Sequence, residues 1–372
     1  MDTGRREVLK SMAAVAVGLN LGSANAASNP SIDKAAFKRI AVEEAFAIPE
    51  LLQAWRTAFI AGVPDEPGFR ALMGKLVTAP ANSHIVELLT DLGSGRIAAM
   101  DDTGIAVQVL SHTGPGVQIF EPQLATDLSI IANDRLSDAV RTHPDRFAGL
   151  ATIAPQAPAD AARELERAVG KLGLVGAIIN SHTKGEYLDD PKFWEIFEAA
   201  SDLNTSIYIH PRTPAPQMLK PYLPHALVGA SWGFAAEAGL HALRLIFAGV
   251  FDRFPKLQIV LGHMGEALPF WLQRLDDTHA LSHRIQTAGV KKLERRPSEY
   301  FRENFYVATS GVTSHSALTL THTEIGPDRL LFAVDYPYAS GVDAVESLDA
   351  APLNEEDKHK IYQLNAERLY SL

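Results

Sequence analysis

Glu43 and Glu44 stand side by side in "AVEEAF" (41–46), at the end of an apolar run that reads as a strand entering a core. Carboxylates are costly there unless an arginine, a helix N-terminus or a metal ion meets them. Three more polar residues end similar runs: His210 in "YIHPR", His263 in "LGHMGE" and Asp335 in "AVDYP". Imidazole and carboxylate are both ligands for divalent ions and proton-transfer groups. The chain has no cysteine, which excludes disulfides, thiolate ligands and a cysteine nucleophile. A metal here must therefore be held by His, Asp and Glu. Side chains alternate along a strand, so Glu44 should face away from Glu43, toward a basic residue on the outer side.

These residues need a scaffold that gathers them. Eight short runs rich in Val, Ile, Leu and Phe recur, at 39–45, 106–111, 147–153, 174–180, 206–211, 257–263, 305–310 and 330–335. Each is nearly continuous in hydrophobicity, as strands buried on both faces are. Amphipathic helical patterns lie between them, among them 158–173, 190–203 and 234–255. The alternation predicts an α/β fold, a (β/α)8 TIM barrel, with a helical insertion at 46–105 over its mouth. A doubly wound open sheet is the alternative, but no G-x-G-x-x-G follows the first strand. In a barrel all strand C-termini meet at one rim, so Glu43, His210, His263 and Asp335 converge. A divalent cation beside Glu43 then accounts for its burial. His112, in "SHTGPGVQ" after the second strand, lies on the same rim and is expected to line the substrate pocket. His143 falls at the opposite rim and reads as structural. His225, His241, His279, His283, His315, His322 and His359 carry no functional expectation.

The 372 residues include 34 basic and 44 acidic side chains, a net charge of −10, and no basic run. This excludes the concentrated positive footprint of a nucleic-acid binder. Residues 1–26 have the layout of a bacterial export signal: Arg5 and Arg6, an apolar stretch from Met12 to Leu21, and the A-x-A site Ala24, Asn25, Ala26. The stretch is too short and glycine-rich to span a membrane. The arginine pair matches the twin-arginine type, with Val8 where such signals favour phenylalanine, and predicts periplasmic localisation. Residues 27–37 would be a linker and 38–372 the barrel domain.

The motifs "VEEAFAIPE", "IHPR", "LGHMGE" and "AVDYP", in this order at strand ends, resemble those of the amidohydrolase-related, metal-dependent decarboxylases of aromatic acids, among them the 2,3-dihydroxybenzoate and γ-resorcylate enzymes. The likeness runs from about residue 38 to the C-terminus and takes in "MDDTGIAVQVLS", "HPDRFAGLATI" and "NAERLYSL". It implies Glu43, His210 and Asp335 as ligands of one divalent ion, Zn, Mn or Mg. It implies His263 and Glu266 as a proton-handling pair. It also implies that Arg274 reaches a small aromatic carboxylic acid near a subunit boundary, in a homo-oligomer (dimer or tetramer). Much of that family has Glu-x-His at the first strand. Here Ala45 replaces the histidine, as in the fungal 2,3-dihydroxybenzoate decarboxylases.

The implied chemistry is non-oxidative loss of CO2 from an ortho-hydroxylated aromatic acid. The ring carbon bearing the carboxylate is protonated by Asp335 or by the His263–Glu266 pair. No redox cofactor is required. The competing enzyme class is a metal-dependent hydrolase of an ester, lactone or amide on the same rim. The other alternative is a periplasmic small-molecule binding protein on a decayed barrel, for which a proton-handling pair would be superfluous.

Overall fold

Eight parallel strands follow one another in chain order around one sheet. They are β1 (Ile40–Phe46), β2 (Val107–His112), β3 (Phe147–Thr152), β4 (Gly176–Asn180), β5 (Ser206–His210), β6 (Gln258–Leu261), β7 (Phe305–Ala308) and β8 (Leu330–Leu331). The computed structural model describes residues 37–62, 66–78, 80 and 83–372. The expected export signal (1–26) and all but the last residue of the expected linker lie outside them.

Ile40, Val42, Val109, Leu150, Ile178, Tyr208, Val260 and Leu331 share one apolar cluster inside the barrel. Ala41, Leu110, Ala151, Ile179, Ile207, Leu261 and Val307 belong to a second, which includes the helices outside. Both strand faces are buried, which is why the runs read as continuously apolar.

The strand pattern breaks at two places, both at the functional rim. In β1, Ala41 pairs with Gln108 but Glu44 with Leu110, so two residues, Val42 and Glu43, oppose Val109 alone. This bulge turns Val42 and Glu43 both inward, where strict alternation would have sent Glu43 out beside Ala41. β8 is only two residues long, against an expected run of 330–335, because the bonds of the following residues are diverted. Phe332 N–H goes to Ile361, Ala333 N–H to the Thr309 hydroxyl, Val334 N–H to the Glu44 carboxylate and Asp335 N–H to the Glu43 carbonyl. Together with Val42 N–H to Phe332 O at 3.0 Å and Ala45 N–H to Tyr336 O at 2.7 Å, these bonds close the barrel between β8 and β1.

Four helices fill the insertion: α1 (Pro49–Ala61), α2 (Pro67–Thr78), α3 (His84–Thr90) and α4 (Ser94–Thr103). α5 (Pro122–Thr142) follows β2, and His143 caps its C-terminus, edge-on to Phe147. α6 (Pro158–Leu172) starts on a proline and stops at Gly173, in the left-handed conformation at φ 72°. α7 (Trp194–Asp202) begins after a 3-10 turn at Pro191–Phe193 rather than at 190. The helix expected at 234–255 is two, α8 (Gly233–Phe247) and α9 (Val250–Arg253), broken where Gly249 takes φ 70°. α10 (Leu268–Arg284) follows β6, and α11 (Pro297–Asn304) precedes β7. Among the described residues no helix is long and apolar enough to cross a membrane.

Candidate active site

Glu43 is 2 % exposed and sits at the centre of the rim. Its Oε1 lies 3.3 Å from His210 Nε2 and 3.7 Å from His263 Nε2. Its Oε2 accepts hydrogen bonds from the Tyr208 hydroxyl on β5 and the Ser310 hydroxyl after β7. Two buried hydroxyls thus fix one oxygen and leave the other facing the histidines. Ser310 Oγ also accepts the backbone N–H of His263 at 3.0 Å, which ties the two functional residues to one hydroxyl.

His263 opens an unusual segment. From His263 to Ala267 every residue has positive φ, between 50° and 73°. Four of the five are not glycine, and each such residue is costly in this region. The next helix, α10, therefore starts only at Leu268, after this left-handed turn. The turn brings Glu266 back under the imidazole, with Oε1 2.9 Å from His263 Nδ1. His263 Nε2 is left facing Glu43 and, at 3.8 Å, Asp335 Oδ2. Burial alone would lower the pKa of His263, but the carboxylates of Glu43, Glu266 and Asp335 outweigh it and hold it well above the usual imidazole range. Burial raises the carboxyl pKa of Glu266, against the pull of His263. For His210 burial prevails over the attraction of Glu43, and the pKa falls.

Asp335 also sits in the left-handed region, at φ 73°, where the chain turns sharply; its carbonyl accepts from Tyr338 and Ala339 N–H at 2.8 and 3.0 Å. One ligand atom each from Glu43, His210 and Asp335 lie within 4.8 Å of one another. Glu43 Oε1, the oxygen that faces His210 Nε2, is buried without a hydrogen-bond partner among the described residues. A buried polar atom left in that state is costly. A divalent ion would relieve it, so the residues present fit the metal that the sequence implied, with Ala45 contributing no ligand.

Glu44 takes the opposite face, as expected, but among the described residues no ion pair joins it to a base. It accepts from Val334 N–H at 2.9 Å and Gln108 Nε2 at 3.3 Å. Arg96 reaches it only through Gln108. Full burial pushes its carboxyl pKa up to about 8, with the Val334 bond and Arg96 pulling the other way.

Residues 87–372 match the Amidohydrolase family. The chain belongs to this family. A curated relative, the γ-resorcylate decarboxylase of Polaromonas sp. (strain JS666), is 36% identical over 342 residues, covering 90% of this chain and 98% of the relative. The solved structure of the 5-carboxyvanillate decarboxylase of Novosphingobium aromaticivorans, complexed with manganese and 4-hydroxy-3-methoxy-5-nitrobenzoic acid, is 42% identical with a TM-score of 0.88, covering 91% of this chain and 97% of that one. A dihydroxybenzoic acid decarboxylase from Polaromonas sp. JS666, solved with bound manganese and 2-nitroresorcinol, is 35% identical with a TM-score of 0.79, covering 90% and 97%.

Not every expected residue of this amidohydrolase reaches the cluster. His112 ends β2 pointing outward, where it packs against Phe46 and Trp55. Its Nδ1 bonds the Thr113 carbonyl at 3.0 Å, and burial depresses its pKa to about 4. Arg274 is exposed on α10 beside Trp271 and touches no residue of the rim cluster. Sequence reasoning missed Tyr208 and Ser310, although both stand in runs identified as strands. It also missed the buried pair of Arg212 with Glu66, which fastens the insertion beside His210. Arg212 lies in the quoted "IHPR", but its partner could not be read from spacing.

Proposed function

We propose that the chain is a metal-dependent, non-oxidative decarboxylase of an ortho-hydroxylated aromatic acid, a carboxy-lyase on an amidohydrolase barrel. The observation that carries this reading is the rim itself: Glu43, His210 and Asp335 form a ligand group, and His263, oriented by Glu266, directs Nε2 into the same space. Relatives named as decarboxylases over nine-tenths of the chain support it.

Glu43, His210 and Asp335 would hold the ion, which when bound supplies positive charge against electron density on the substrate's carboxylate and hydroxyl oxygens. Two carboxylates and one imidazole favour a hard or borderline ion, and manganese in two of the relatives makes Mn2+ our choice over Zn2+ and Mg2+. Glu266 fixes the His263 ring through Nδ1, so that the proton at Nε2 is aimed at the substrate. That proton reaches the ring carbon bearing the carboxylate, directly or through Asp335. The carbon becomes tetrahedral, its bond to the carboxylate breaks, the electron pair restores the aromatic ring and CO2 departs.

The test is a panel of ortho-hydroxybenzoates incubated with manganese-loaded protein. CO2 release that chelator abolishes and Mn2+ restores is expected. Release from none of the panel would reject the reading.

Two further parts of the proposal concern context. Arg274 stands near Phe270 and Trp271, large apolar side chains that are 69% and 45% exposed on the same helix. We assign this face to a homo-oligomer contact; a fully active monomer by light scattering would contradict it. Residues 1–26 are assigned to twin-arginine export to the periplasm. Replacing Arg5 and Arg6 with lysines should leave the protein in the cytoplasm.

A further inference from the structure

Far along α10 from the rim, two histidines one helical turn apart converge on a single carbonyl. His279 Nε2 and His283 Nε2 each lie 3.1 Å from the Lys291 carbonyl oxygen and 3.2 Å from each other. Their rings stand 4.5 Å apart at 87°, so the two nitrogens meet edge to face. Lys291 belongs to the connection between α10 and α11, and its ammonium is bound to the Ala248 carbonyl at 2.9 Å. His279 is nearly buried, with Phe247 edge-on to its ring.

Hydrogen bonding satisfies this triangle only by crowding: the carbonyl oxygen can accept from both Nε2–H groups, but the two donors then stand 3.2 Å apart. Each Nε2 carries at most one proton, and the carbonyl carries none. If both nitrogens are protonated, both protons go to the oxygen and the two N–H groups face each other. If one is protonated, a bare nitrogen lone pair faces the carbonyl lone pairs. The first arrangement sets two N–H groups side by side, and the second leaves two of the three edges without a hydrogen. A cation serves all three atoms at once. Ligands about 2.1 Å from a tetrahedral ion stand roughly 3.4 Å apart, close to the three edges seen here. The i, i+4 spacing places both imidazoles on one helix face, as a chelating pair requires.

We propose that His279, His283 and the Lys291 carbonyl form a second metal site, separate from the rim, for a borderline transition ion such as Zn2+. The donors are neutral and two of the three are imidazoles, which suits Zn2+, Ni2+ or Cu2+ and disfavours Mg2+ and Mn2+. The rim, with two carboxylates and one imidazole, takes hard as well as borderline ions. An ion here clips the connection after α10 onto the helix and leaves a fourth position to water. The site takes no part in the chemistry.

The test counts ions. Untagged full-length protein is dialysed against zinc and then freed of excess. Wild type should retain two ions per chain, His283→Gln one, and Glu43→Gln one, the last having lost the rim ion instead. His279→Gln should behave as His283→Gln does, and both should keep the activity of the manganese-loaded enzyme. The same ion count in the wild type and in both histidine variants overturns the proposal. Should either variant fail to fold, zinc-edge anomalous scattering from wild-type crystals decides independently: a peak between the two imidazoles is expected, and its absence refutes the site.

Discussion

Two clusters of buried acids and histidines lie at the C-terminal end of this barrel, and they differ in what is left unbonded. At the first, Glu43 Oε1, which faces His210 Nε2, lacks a hydrogen-bond partner among the described residues. The second joins the segment after β4 to α8. There Glu237 accepts from Ser181 Oγ at 3.0 Å, Tyr187 OH at 3.0 Å and Ala215 N–H at 3.1 Å. His241 accepts from Leu188 N–H at 3.1 Å through Nε2 and meets Ser181 Oγ at 3.1 Å through Nδ1. Both acids are buried and both clusters contain histidine, so residue type does not separate them. Satisfaction does. A network whose atoms are all paired rigidifies a loop, whereas an unpaired carboxylate oxygen among other ligand-type atoms fits a cation.

Substitutions break the comparison in descending order of effect. Glu43→Gln should remove the rim ion and reduce activity by more than the roughly 100-fold that outer partners of a metal site command; elemental analysis and turnover check both. His263→Asn should retain the ion and bind substrate nearly as before, with kcat about 100-fold lower. If metal is lost instead, His263 is a ligand rather than a proton carrier. Tyr208→Phe or Ser310→Ala frees Glu43 Oε2 and should weaken Mn2+ binding by roughly 10-fold. Calorimetric titration with Mn2+ reads this without reference to activity. Glu237→Gln, in the satisfied cluster, should leave ion content and kcat unchanged and cost about 1–3 kcal/mol of stability, because the new amide cannot accept from every donor. Burial raises the carboxyl pKa of Glu237, only partly offset by its three donors. A raised acid favours the fold at low pH, so its contribution declines as pH climbs through the raised value. Denaturant titrations should show that decline in the wild type and not in Glu237→Gln.

Much of the rim was legible because barrel topology converts distant strand ends into neighbours. Glu43, His210, His263 and Asp335 could be grouped once eight runs were counted, whereas the pairing of His263 with Glu266 came from the family resemblance. Backbone detail was not legible. Nothing in "AVEEAF" announces the bulge that turns Glu43 inward, since the extra residue is defined by pairing with β2. Five consecutive left-handed residues cannot be inferred from "HMGEA", where only Gly265 favours that conformation. Strand β8 looked longer than it is because apolar character persists to Val334 while its hydrogen bonds go elsewhere. The satisfied cluster was invisible because Ser181, Glu237 and His241 meet only through packing of α8 on the barrel.

The central claim is that this rim breaks a carbon–carbon bond and replaces it with a carbon–hydrogen bond. The most direct measurement runs the manganese-loaded enzyme in D2O with an ortho-hydroxybenzoate that it consumes. The account predicts one deuterium on the product ring, at the carbon that bore the carboxylate. An unlabelled ring carbon, with solvent oxygen found in a released acid, would contradict it.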